Sequence, residues 1–148
     1  MWHRLRNLFL SLNTYQALSP DLRVRQQVNR ALSNRPVLNS DQWFETFYQS
    51  QGVAPGVGLF AYRHLEQYSG IEMGRVWPTD RLNEDLCWIA VCWFDWERRL
   101  CHDISQQLGV DLSECLEDWN GSTIGELVVL MDQAFKGASQ KSPVSLEP

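Results

Sequence analysis

Between Asp85 and Leu108 the positions Leu86, Ile89, Trp93, Glu97, Leu100, Ile104 and Leu108 recur at spacings of three and four, the repeat of one helix face. The spacing predicts a single core helix over 85–108, with Trp93 on its buried stripe. The first half is apolar on the opposite side too, at Trp88, Val91, Cys92 and Trp96, whereas the second half turns Arg98, Arg99, His102, Asp103 and Gln106 outward. A helix that is apolar all round needs a cover, so the first half is expected to lie under another part of the chain.

The same periodicity predicts further helices on both sides. Residues 2–12 place Trp2, Leu5, Leu8, Phe9 and Leu12 on one face, with His3, Arg4 and Arg6 near the other. This segment reads as a docking helix over the central one, or as an amphipathic helix lying in a membrane interface, with Trp2, Leu5 and Phe9 as its face. Ser19 as N-cap and Pro20 and Asp21 in the first turn open a helix through about Leu32. Asn39 or Ser40 caps a third, carrying Trp43, Phe44, Phe47 and Tyr48 and stopped by Gly52. The residues VAPG at 53–56 read as a hinge.

A helix then runs from Val57 to Gly70, followed by a long loop through Pro78 and Asp80. Gly109 closes the central helix, Leu112, Leu116 and Trp119 mark a short turn, and Ser122 or Thr123 caps a last helix with Ile124, Leu127, Val128, Met131 and Phe135. The tail from Gly137 carries nothing to bury and is expected to be disordered. With no strand-like alternation, the class is all-α. The divisions are an N-terminal helical extension over 1–56, a bundle over 57–136 and a tail over 137–148.

Composition changes this picture in two places. Seven tryptophans in 148 residues are many, so aromatic anchors must be packed or presented. Up to Pro36 there are six arginines against the single Asp21, a net +5 that leaves −10 on the remainder, given −5 for the whole chain. The expectation is a basic arm lying on an acidic body, with an anionic membrane as a second reading and nucleic acid as a weaker third, opposed by the body's own charge. Cys87, Cys92, Cys101 and Cys115 lack the paired spacing of a zinc site, and no signal peptide or spanning segment is evident, so reduced thiols and a cytoplasmic protein, peripheral to a membrane at most, are expected.

From Leu59 to Phe135 the order of short motifs resembles the acyl carrier protein family. LEQYSGIE is similar to the family's E-Q-L-G-V, RVWPTDRLNEDL to V-x-x-x-x-x-F-x-E-D-L, DISQQLGVDLSE to L-E-E-E-F-G-V-E-I-P, and STIGELVVLM to T-T-V-G-D-A-V-x-x-I. The resemblance implies a helical bundle of three longer helices and a short one, closed by a long first loop. In the family a serine in D-S-L at the start of the second helix carries phosphopantetheine. Here registration from Glu84, Asp85 and Leu86 places Ala90 at that position, and registration from Leu108, Gly109 and Val110 places Phe94 there. The four-residue offset is about one helical turn, so an extra turn at the start of the helix is expected. The nearest hydroxyl, Ser105, comes two or three turns too late.

The resemblance further implies a recognition helix, since partner enzymes grip this helix in the family. Trp and Arg are the residues most enriched at interface hot spots. Phe94, Trp96, Arg98 and Arg99 are therefore the candidate partner-binding residues, and the expected function is a non-enzymatic adaptor with a protein partner, no cofactor and no metal. The alternatives are a peripheral membrane or lipid-associated protein, and a noncovalent carrier of acyl or other hydrophobic ligands. For an enzyme, adjacent Cys101 and His102 point about 100° apart on a helix, and a Cys nucleophile would have to recruit the distant His64. Gly52, Gly56 and Gly58 form no phosphate-binding pattern, and His3, His64 and His102 are too scattered for a metal.

Overall fold

The computed structural model describes residues 19–141, without the side chain of Lys141. The face expected at Trp2, Leu5 and Phe9 and the chain beyond residue 141 lie outside the described residues. Within them the protein is all-α: α1 (Leu22–Ala31), α2 (Ser40–Phe47), α3 (Pro55–Ser69), α4 (Trp88–Val91), α5 (Trp96–Leu108), α6 (Ser113–Glu117) and α7 (Ile124–Lys141).

Local chemistry sets most of the ends. The cap of α1 is Asp21 rather than Ser19, because its carboxylate accepts from the backbone N–H of Arg23 at 3.0 Å and of Val24 at 3.2 Å. Asn39 caps α2 in a reciprocal box with Gln42. Gly70 and Gly109 end α3 and α5 in the left-handed conformation, at φ 69° and 67°, where a side chain would be strained. The first N–H groups of α7 are satisfied by the preceding loop: Ile124 donates to Asp80 O and Gly125 to Pro78 O, both at 3.0 Å. The helix expected to stop near Gly137 continues to Lys141, with Ala134 and Ala138 half-buried along it.

Residues on both sides of the expected boundary at 53–56 share one core. Val28, Leu32, Trp43, Phe44 and Tyr48 from the first two helices pack with Phe60, Leu65, Leu100, Ile104, Leu127 and Met131. The stretch 53–56 is a tight entry into α3, which begins at Pro55, and it is held from the far end of the chain. Buried Asp132 on α7 accepts from Ala54 N–H at 2.9 Å and pairs with Lys136 at 2.7 Å, and Lys136 Nζ donates to Gly52 O.

Among the described residues, the basic arm meets the acidic body at Arg35. Arg35 grips Asp80 with two hydrogen bonds, Nη1 to Oδ2 at 2.7 Å and Nη2 to Oδ1 at 3.1 Å. It also donates to Arg75 O at 2.9 Å, and its guanidinium lies 3.8 Å over the Trp77 ring. Trp43 Nε1 donates to Val76 O at 2.9 Å beside it. The long loop is thereby fastened to α1 and α2, and it fixes where the chain enters α4.

Candidate protein-binding surface

The predicted 85–108 helix is broken into two. The chain enters α4 through Cys87 at φ 53°, leaves it at Cys92 in extended conformation, and resumes at Trp96. In an unbroken helix the carbonyls of Ala90 and Val91 would accept from residues 94 and 95. Here Ala90 O accepts from Asp21 N–H at 2.9 Å and Val91 O from Arg25 Nε at 2.8 Å. Two carbonyls freed by the break are thus satisfied by the start of α1, which is why it is tolerated in a partly buried place.

The break also decides which aromatic residues are buried. Trp88 and Trp96 both enter the core and meet edge to face, with ring centroids 5.8 Å apart at 89°. Eight residues along a straight helix span about 12 Å, so the interruption helps these rings close on each other. Trp93 and Ile89, expected on the buried stripe, are instead 40% and 42% exposed. Trp96 is therefore corrected from a candidate partner-binding residue to a core residue, and Trp93 takes its place at the surface. Phe94 is half-buried in the break, and Arg98 and Arg99 are exposed on the first turn of α5. The surface sequence reasoning missed is Trp93 with Ile89, because no helical periodicity signals a break made by distant partners.

The extra helical turn expected at the start of this helix is not formed, because the chain is interrupted between Val91 and Trp96. Neither Ala90 nor Phe94 offers a hydroxyl, and Ser105 lies on the exposed side of α5, so the residues present do not fit a phosphopantetheine arm.

A second polar constellation lies between α3 and α5. Buried His64 stacks on Phe60 with centroids 4.2 Å apart, and its Nδ1 is 3.5 Å from Asp103 Oδ2. The Tyr68 hydroxyl donates to that same oxygen at 2.5 Å. Burial, and then this bond to Asp103, push the Tyr68 phenol up, so it stays protonated and occupies the carboxylate. Burial also pushes the Cys101 thiol up, helped by the Glu97 and Asp111 carboxylates. A protonated thiol is a poor nucleophile, which weighs against the pairing of Cys101 with His64. Burial pushes Cys92 up as well.

Among the described residues no group of three or more His, Cys, Asp or Glu is placed to hold a metal, and no helix is long and apolar enough to cross a membrane. Two grooves flank α7, one lined by Asp111, Glu114, Cys115, Leu130 and Ala134 and the other by Trp119, Thr79 and Arg81. Both open to solvent, and neither reaches Trp93. Compared with known protein families, curated proteins and solved structures, the chain matches none of them.

Proposed function

We propose that the chain is a non-enzymatic protein-binding module, an adaptor working in the cytoplasm, that grips a protein partner with the surface around the α4–α5 break. The observation that carries this is the outward placement of Trp93 and Ile89, 40% and 42% exposed, with half-buried Phe94 next in the chain and exposed Arg98 and Arg99 on the first turn of α5 that follows. An exposed tryptophan with apolar neighbours and a charged border has the make-up of an interface centre and its rim. The order of helices from α3 through the long loop to α5, α6 and α7 supports the resemblance to a degenerate acyl-carrier-like bundle, whose corresponding helix is a partner-binding surface.

The test is capture on the affinity-tagged full chain, comparing wild type with Trp93→Ala and Arg99→Glu, both checked by circular dichroism for unchanged helicity. One protein bound at fixed stoichiometry by the wild type, and lost by at least about tenfold in both variants, is the expected result. Capture that survives both substitutions places the partner elsewhere and refutes this surface.

A further inference from the structure

We propose that α1 is a clamp on a two-state helix: it holds the chain broken between α4 and α5, and when it lets go the two rejoin as one helix over 88–108. From Arg81 to Leu108 the chain has neither glycine nor proline, and the apolar spacing of Ile89, Trp93, Leu100 and Ile104 runs straight through the break. Nothing in the local sequence demands an interruption. Cys92 is extended all the same, at φ −94° and ψ 158°. What competes with the helix comes from α1 and its cap. The Ala90 and Val91 carbonyls, which a helix would give to the amides of Phe94 and Asp95, accept instead from Asp21 N–H at 2.9 Å and Arg25 Nε at 2.8 Å. Local preference and tertiary contact disagree here, the condition under which two packings of one sequence lie close in free energy.

The clamp is lightly held. Within α1 only Val28 is buried, and Leu22 is 65% exposed. Its ties to the end of α3 are polar: Arg25 Nη2 donates to Tyr68 O at 3.3 Å, and Asn29 donates to Gly70 O and accepts from Glu72 N–H, both at 3.0 Å. A helix fixed in this way opens at smaller cost than the core. With α5 as the frame, a helix rebuilt through 92–95 brings Trp93 within about 20° of fully buried Leu100 and Ile104. It also sets Trp88 about 12 Å from Trp96 along the axis. Their edge-to-face contact therefore opposes rejoining, and the clamped form is the resting one. Rejoining withdraws the Trp93 surface from a partner; that consequence rests on the partner reading above, whereas the rejoining itself does not.

The experiment is NMR of the full chain, reading backbone Cα shifts and amide exchange in wild type, Arg25→Ala and Asp95→Ala, with no partner present. Arg25→Ala removes the donor to Val91 O. Rejoining predicts helical Cα shifts at 92–95 and exchange at Phe94 and Asp95 slowed by at least about tenfold, while the α3 amides stay protected and report a folded bundle. Asp95→Ala leaves α1 untouched, and the Asp95 side chain makes no cap bond to α5. The better helix former should raise the rejoined population by up to about threefold, read as movement of the same shifts. Where Arg25→Ala loses the α3 protection, Asp95→Ala decides. Adding Trp93→Pro to either variant must abolish the helical shifts, because proline is barred from a helix interior and favours the extended form at Cys92. Coil-like shifts with faster exchange across 88–95 in Arg25→Ala, the sign of α4 fraying, overturn the proposal. So do unchanged shifts in both variants, and helical shifts that survive Trp93→Pro.

Discussion

Replacing Arg35 with alanine removes more than one contact. It deletes two hydrogen bonds to Asp80, a third to Arg75 O, and the stacking of the guanidinium over Trp77. Asp80, whose side chain is 8% exposed, keeps the Trp77 N–H at 2.7 Å as a donor. Breaking a fully buried ion pair by removing one partner costs about 3–5 kcal/mol, because the remaining charge is left uncompensated. The Arg35 side chain is 23% exposed, so water reaches part of the space it vacates, and the expected loss falls to about 2–4 kcal/mol. Asp80→Asn keeps an acceptor for Trp77 and strands only the more exposed partner, so about 1–2 kcal/mol is expected. The double variant should cost less than the sum of the two, with a coupling of about 1–3 kcal/mol. Equilibrium urea unfolding, followed by circular dichroism and tryptophan fluorescence with linear extrapolation, measures all three. A loss below about 1 kcal/mol for Arg35→Ala, the range of an ordinary surface pair, would refute the view that this pair fastens the loop. Strict additivity would do the same.

The exchange of roles between Trp96 and Trp93 has its own signature. Trp96→Ala should destabilise the fold by about 3–5 kcal/mol, whereas Trp93→Ala, at a side chain 40% exposed, should cost no more than about 1–2 kcal/mol; the reverse order in urea titrations would return Trp93 to the core. Glu126 accepts from the backbone N–H groups of Ser122 and Thr123, which holds its carboxyl below the usual glutamate value of 4.5. Its contribution is therefore present above that value and is lost as pH falls through the lower folded value, so the stability gap between wild type and Glu126→Gln should be widest near neutral pH and close in acid. A gap that does not change with pH would contradict this. Thiol labelling of the native chain near neutral pH should modify exposed Cys115 first and buried Cys92 last, read by mass spectrometry of the peptides; early labelling of Cys92 would mean that the α4 region opens readily.

Helix ends written in neighbouring residues were legible in the sequence. Asn39 with Gln42, Gly70 and Gly109 act within one turn of themselves, so spacing and residue type suffice to place them. The break at Cys92–Asp95 was not, because what makes it tolerable lies some seventy residues earlier, in Asp21 N–H and Arg25. Periodicity continued through the break puts Trp93 on the buried stripe and Trp96 on the opposite face, from which it is drawn as a partner-binding candidate, whereas Trp96 is buried and Trp93 exposed. Phe94, Arg98 and Arg99 kept their place near the surface because the break shifts the face of the first half and leaves α5 itself amphipathic. The last turn of α7 was missed for another reason: Ala134 and Ala138 bury little area each, yet small residues suffice along a helix already nucleated by Ile124 to Met131.

The hold of α7 on the entry to α3 has a consequence for synthesis. Ala54 donates to Asp132 across 78 positions, and Ile124, Leu127, Val128 and Met131 are all fully buried in the common core. A chain emerging from the ribosome therefore shows the aromatic residues of α2 and α3 to the cell before the helix that seals them exists. The packing of the earlier helices is therefore completed only once α7 has been translated.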